Sequence, residues 1–262
     1  MSNVLDTIDP SMFEPPADAV DFYVESLKLL KESDIPFLLS GTYALSCYTG
    51  ITRPTKDLDV FCKVSDAPRI LAFFKEKGYD IEVEDDRWIG KVWSGKSFFD
   101  VIWNISSASV PVNDDWFKEE YEVEVYGTLV RIAPPTEFIL SKLFIQDRYR
   151  YDGADVVHVI LKKSDEIDWR RLLTAMELYW EVLLIHLLNF RFIYPTKRDL
   201  IPRWLFDELI DRLGSQAELP PAGIDICRGR LVSPRDYITD ISEWGFADVV
   251  GKGLEARHEP KH

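Results

Sequence analysis

The feature that most constrains the fold is a change of period at Pro134-Pro135. Ahead of it, apolar residues form short runs with strand-like alternation: Tyr79 to Val83, Trp88 to Val92, Phe98 to Trp103, Tyr121 to Val125 and Thr128 to Ile132, punctuated by Gly90, Gly95 and Gly127. Period two marks a strand with two unlike faces. Behind it the period becomes helical, which predicts helices near Thr136 to Asp147, Gly153 to Lys162, Trp169 to Phe190 and Asp199 to Leu213. Strands first and helices afterwards predict an α/β (α+β) chain: a mixed β-sheet core with flanking helices, followed by a helical C-terminal domain. The expected boundary separates residues 1–133 from 134–262, with an irregular or partly disordered Pro- and Gly-rich arm beyond Gly214.

The first part has its own punctuation. Val20, Phe22, Tyr23, Leu27, Leu29 and Leu30 predict an amphipathic helix over about Ala17 to Ser33, ended by Asp34 and Pro36. Phe37 to Leu39 is a short apolar strand, and Ser40-Gly41-Thr42 opens a second helix through about Tyr48. Asp57 to Phe61 alternates as a strand. A helix over Ala67 to Lys77 stops at Gly78.

Composition narrows the function classes. A net charge of −14 with a pI near 4.8 argues against non-specific nucleic-acid binding, which depends on neutralising phosphates. The charge is uneven: residues 1–133 carry 13 Lys+Arg against 24 Asp+Glu, and residues 134–262 carry 18 against 21. Local polyanion contacts therefore fit only the back half, around Arg191, Lys197, Arg198 and Arg203 or Arg228, Arg230 and Arg235. The most apolar stretch, Tyr179 to Phe190, is interrupted by Glu181, His186 and Asn189, so a soluble, cytoplasmic protein without a membrane partner is expected. Cys47, Cys62 and Cys227 lack the paired spacing of zinc sites or disulfide frameworks and read as small buried hydrophobes.

The chemistry concentrates in acids. On a strand, Asp57 and Asp59 project to one side while Leu58 and Val60 face the core. Two carboxylates so held suit a hard divalent cation, Mg²⁺ or Mn²⁺ in its place, which keeps part of its shell for water and phosphates. Asp100, set among Phe98, Phe99, Val101 and Ile102, is the candidate third acid. Three such acids predict a two-metal site for phosphoryl chemistry, with Asp100 nearer the acceptor and a candidate base. Upstream, Gly41 allows close backbone approach, Thr42 offers a hydroxyl, and the following helix presents unpaired N–H groups to a triphosphate. Plainer readings stand beside these. Asp100 could pair with Lys91 or Lys96, Thr42 could only cap its helix, and Arg53 could neutralise Asp57. Lys142 could be a solvated helix residue. Asp152, Asp155 and His158 recur at helical spacing, yet read more economically as a helix start with acids at its positive end, partnered by Arg148 or Arg150.

At Leu39-Ser40-Gly41-Thr42 and Asp57-Leu58-Asp59-Val60 the chain resembles the polymerase-β-like nucleotidyltransferase superfamily, with Thr42 where the family usually has Gly or Ser. The longer run from Gly41 to Val60, with Arg53, Thr55 and Lys56 before the acids, is similar to a bacterial branch related to abortive-infection toxins. So are Pro135 to Lys142 and Arg148 to His158. The resemblance covers roughly Phe37 to His158. It implies an NTP substrate, catalytic acids Asp57, Asp59 and Asp100 that also hold the metals, and nucleotide contacts from Ser40, Gly41, Thr42, Arg53, Lys56 and Lys142. It also implies a tRNA acceptor and a cognate antitoxin, whereas the acidic front half suits a cationic small hydroxylated molecule such as an aminoglycoside.

Two other functions use the same acids. A nucleotide-sugar glycosyltransferase needs Asp-x-Asp and a metal but neither the Gly-Thr turn nor Asp100. A non-catalytic nucleotide-binding protein would keep the fold without turnover. A haloacid-dehalogenase-type phosphatase fits less well, because Arg53-Pro54-Thr55-Lys56 stands where an apolar strand should run into the first acid.

Overall fold

The computed structural model describes residues 3–5, 10–16, 19–105, 109–220 and 223–250. The chain divides into two compact units, Met1–Pro134 and Pro135–Gly251. In chain order the first contains β1 (Asn3–Val4), α1 (Val20–Glu32), β2 (Leu38–Leu39), α2 (Gly41–Thr49), β3 (Asp59–Phe61), α3 (Ala67–Glu76), β4 (Asp80–Asp85), β5 (Ile89–Ser94), β6 (Ser97–Ile102), β7 (Asn104–Ile105), β8 (Val110–Pro111), β9 (Tyr121–Val125) and β10 (Thr128–Arg131). The two short strands β7 and β8 were too brief for alternation to reveal. The expected start of the first helix at Ala17 lies outside the described residues.

The central sheet runs β2-β3-β6-β5-β4. β3 and β6 pair in parallel, and every other neighbouring pair is antiparallel. A smaller sheet, β1-β9-β10, adjoins it through a bridge between Leu39 and Ile132. Helices α1 and α3 cover one face of the central sheet. Their inward residues, Phe22 and Phe74, bring rings to 6.0 and 5.0 Å from Phe99 of β6. Because strand side chains alternate, Asp100 projects from the opposite face, away from both helices. That alternation separates the chemistry from the main aromatic core.

The second unit contains α4 (Pro135–Lys142), α5 (Gly153–Lys163), α6 (Trp169–Ala175), α7 (Trp180–Ile193), α8 (Arg203–Ala217), β11 (Ile226–Cys227), α9 (Ile238–Ser242) and β12 (Ala247–Asp248). Three expectations shift here. The helix expected through Asp147 ends at Lys142, because the Asp147 carboxylate accepts the N–H groups of Tyr149 and Arg150 and turns the chain. The single helix expected over Trp169 to Phe190 is bent by 74° between α6 and the Glu177–Ile193 segment, at a tight turn that sinks Met176 completely. Finally α8 begins at Arg203, since Pro202 has no N–H to give a helix interior. Beyond Gly214 the arm is not wholly irregular: β11 and β12 pair in parallel around α9. Among the described residues no single helix is long and apolar enough to cross a membrane. Among the described residues no disulfide forms; Cys62 and Cys227 are buried as expected, while Cys47 is only half-buried.

Candidate active site

The site is built on the parallel pair at the middle of the central sheet. Asp59 and Asp100 are register partners of β3 and β6, so their side chains leave the sheet side by side. The Asp100 N–H donates to the Leu58 carbonyl at 2.9 Å, and the Ser40 N–H donates to the Asp59 carbonyl at 2.9 Å. Asp57 lies two residues ahead of β3, outside the strand in which it was expected. Its exposure still follows the alternation: Asp57 and Asp59 are half-buried, while Leu58 and Val60 are completely buried. The Thr55 hydroxyl lies 3.3 Å from the Asp57 carbonyl oxygen and 3.4 Å from its Oδ1.

The turn into α2 closes over this pair. Gly41 has φ +62°, in the left-handed region, and a Cβ there would lie 2.0 Å from Asp59 Oδ2. Both conditions demand glycine. Ser40, the N-cap of α2, makes no side-chain capping bond, and its buried Oγ has no hydrogen-bond partner among the described residues. Ser40, one of the expected nucleotide contacts, thus keeps its hydroxyl buried, whereas Thr42, whose hydroxyl was the expected phosphate contact, is half-buried at the second position of the helix. Uncapped N–H groups at a helix start favour anions. Arg53 is half-buried and Lys56 exposed on the loop that leads into the acids.

Asp100 is not solitary. Lys91 is its cross-strand partner, and the Lys91 ammonium donates to Asp100 Oδ1 at 2.6 Å. The same ammonium lies 3.0 Å from Glu84 Oε2 and 4.4 Å from the Phe98 ring centroid. Glu84 occupies a register irregularity between Val83 and Asp85, the kind of bulge that re-aims a side chain. Of the two plainer partners the sequence offered Asp100, the structure has Lys91, while Lys96 sits exposed in the turn. Burial pushes the Asp100 carboxyl up to about 7; Asp59 and Asp57 add to the rise and Lys91 opposes it. Burial alone would depress Lys91, but Asp100 and Glu84 outweigh it and keep the ammonium charged.

Tyr43 was not foreseen. It follows Thr42 on α2, its hydroxyl lies 3.0 Å from that of Tyr126, and it feels the charge of Asp57. Burial, the Tyr126 bond and the surrounding negative charge hold it as a neutral phenol. Its place next to Thr42, at the third position of α2, was the signal available.

Lys142 belongs to the second unit and is 4% exposed. Its ammonium donates to Asp152 Oδ2 at 2.8 Å, and Arg150 approaches the same oxygen at 3.1 Å. Asp152 is the N-cap of α5, matching the plainer reading of that acidic cluster, although buried Lys142 joins the exposed Arg150 as its partner.

Asp57 and Asp59 are both half-buried carboxylates, the oxygen chemistry that a divalent ion takes. Yet among the described residues no group of three or more His, Cys, Asp or Glu side chains is placed to hold a metal, and Asp100 is engaged by Lys91. The full three-acid set therefore does not fit two ions as it stands.

No protein-family model and no curated protein matches the chain. Among solved structures it is similar to the antibiotic-resistance factor ANT(2'')-Ia at 16% identity, covering 68% of this chain and 94% of that one with a TM-score of 0.40. It is similar to a Thermotoga maritima protein described as a nucleotidyltransferase at 15% identity, covering 44% and 77% with a TM-score of 0.35. An H. pylori protein described in the same way is 15% identical over 78% and 94%, with a TM-score of 0.35. These are likenesses of low identity and low TM-score, and the chemistry must be read from the side chains of the site itself.

Proposed function

We propose that this chain transfers a nucleoside monophosphate from an NTP to an acceptor hydroxyl, releasing pyrophosphate. The observation that carries the reading is the pairing of Asp59 with Asp100 on adjacent parallel strands, with the Asp59 carboxylate pressed against Gly41 at the start of α2. An acid pair beneath a helix N-terminus offers opposite charges to the two partners of a nucleotide: carboxylates for a cation, N–H groups for phosphate oxygens.

In this scheme Asp57 and Asp59 would hold a divalent cation, which would supply positive charge against the triphosphate. The α2 N–H groups and Thr42 receive phosphate oxygens, and Gly41 lets the backbone approach closely. Arg53 and Lys56 stand on the loop where further phosphate charge would be met. Asp100, with a carboxyl near 7, takes the acceptor proton at Oδ2, since Lys91 holds Oδ1. Lys142 is assigned a structural role on account of its burial against Asp152, in place of the nucleotide contact the resemblance implied. The acceptor, a cationic hydroxylated molecule or a tRNA end, and any antitoxin are matters for assay.

The Lys91 bridge favours a second reading, a nucleotide-binding protein without turnover, because it occupies the acid that would act as base. One experiment separates the two. The purified chain is incubated with Mg²⁺, each α-labelled NTP in turn, and pooled tRNA or cell metabolites, following label transfer and pyrophosphate. Transfer that falls roughly a thousandfold in Asp59→Ala, about 4 kcal/mol of barrier, supports the enzyme. Metal-dependent NTP binding without transfer supports the binding protein. Full activity in Asp59→Ala would overturn the site.

A further inference from the structure

Building on the proposed function, we infer that the Lys91 ammonium stands in for the second metal ion, so that the site takes one divalent cation, held by Asp57 and Asp59, rather than two.

Lys91 is fixed in place from several sides. Its strand register sets it opposite Asp100, it reaches Oδ1 at 2.6 Å, Glu84 lies 3.0 Å away, and the Phe98 ring lies beneath it at 4.4 Å. Only 14% of the side chain is exposed. A loose surface lysine would swing away from an arriving ion. This one would have to leave a carboxylate, a second carboxylate and an aromatic face together, and its stem is held by a strand paired on both sides.

A two-ion site needs Asp100 as a ligand. An ion bound at Asp100 would lie against a cation already within hydrogen-bond distance of that carboxylate, in a poorly solvated setting where repulsion is weakly screened. Asp57 and Asp59 are different. They are half-buried, the Asp59 carboxylate lies against the start of α2 at Gly41, and the Lys91 ammonium is bonded to Asp100 and Glu84, so the one ion is assigned to this pair by the proposed function. The cross-strand lysine thus gives Asp100 a permanent counter-charge.

The test counts ions and does not depend on turnover. Wild-type chain is brought to equilibrium by dialysis against Mn²⁺ and a non-hydrolysable triphosphate analogue of each base in turn. Site-bound ions are those that Asp59→Ala loses, which removes adventitious binding to an acidic surface. One ion per chain is expected in wild type and in Lys91→Arg, and two in Lys91→Met. Two ions in wild type overturn the inference while leaving the proposed function intact, and this count does not depend on any Lys91 variant folding. One ion in a folded Lys91→Met also overturns it, because the lysine would then not be what excludes the second. No Asp59-dependent ion at all overturns the inference and the proposed function together.

Discussion

Among the described residues two Lys–Asp bridges, both buried, have nearly the same geometry and opposite character. Lys91–Asp100 spans 2.6 Å in the first unit, and Lys142–Asp152 spans 2.8 Å in the second. All four side chains are largely buried. Burial pushes both carboxyls upward, yet Asp100 ends near 7 while Asp152 is held below the usual carboxylate range. The third charge decides. Asp100 has Asp59 and Asp57 beside it, whereas Asp152 has a second cation, Arg150. A bridge left with surplus negative charge still has use for a cation or a proton; one with surplus positive charge is satisfied and holds the fold. A buried ion pair declares its role through its neighbours.

The largest effect should come from removing the two lysines in parallel. Lys142→Met strands Asp152 in the interior with only the exposed Arg150, and should cost about 3 kcal/mol, the scale of a broken buried pair. Lys91→Met leaves Asp100 able to take up a proton near neutral pH, so about 1 kcal/mol is expected at pH 7. Urea unfolding of both variants measures the difference. Equal losses would remove the distinction between the bridges.

A smaller effect sharpens the contact between turn and acid. Gly41 and Gly50 flank α2, both with positive φ, +62° and +73°, but a Cβ at Gly50 meets nothing within 4 Å. Gly50→Ala should therefore cost about 1 kcal/mol, from the backbone alone. Gly41→Ala adds displacement of the Asp59 carboxylate and should cost about 2 kcal/mol, with transfer activity lost beyond what the stability change explains. If both variants behave alike in unfolding and in the transfer assay, the close approach of Gly41 to Asp59 has no functional weight.

Much of this was readable beforehand, and the exceptions have physical causes. Period two and glycine punctuation located the strands of the central sheet, and the switch at Pro134-Pro135 separated sheet from helices, because both patterns are dictated by burial of one face. The acids Asp57, Asp59 and Asp100 were visible as charges among strand-forming residues. What stayed hidden was partnership. Lys91 was one of two lysines near Asp100, and choosing it required the register of β5 and β6, fixed once the turn lies at Gly95-Lys96. Glu84 reaches Lys91 only through a bulge that alternation does not encode. The likeness at Lys142 suggested phosphate contact, but its burial depends on Asp147 turning the chain so that Asp152 returns to it, a long-range result of local turn chemistry.

The smallest effect tests the comparison through pH. Asp152 has a folded value below its unfolded one, so its stabilising contribution is complete above about pH 4 and is lost as pH falls through the folded value. Asp100 runs the other way. Between about pH 4 and pH 7 the folded chain keeps a proton that the unfolded chain has released, so stability declines as pH rises across that window. From pH 6 to pH 7.5 the decline due to Asp100 should be about 1 kcal/mol. Asp100→Asn should lack that component and lie increasingly above wild type as pH rises, while Asp152→Asn should retain it. Urea midpoints at those two pH values, measured for wild type and both variants, give the answer. A decline that persists unchanged in Asp100→Asn would mean that Lys91 already compensates Asp100 fully, and the two bridges would then be electrostatic equals.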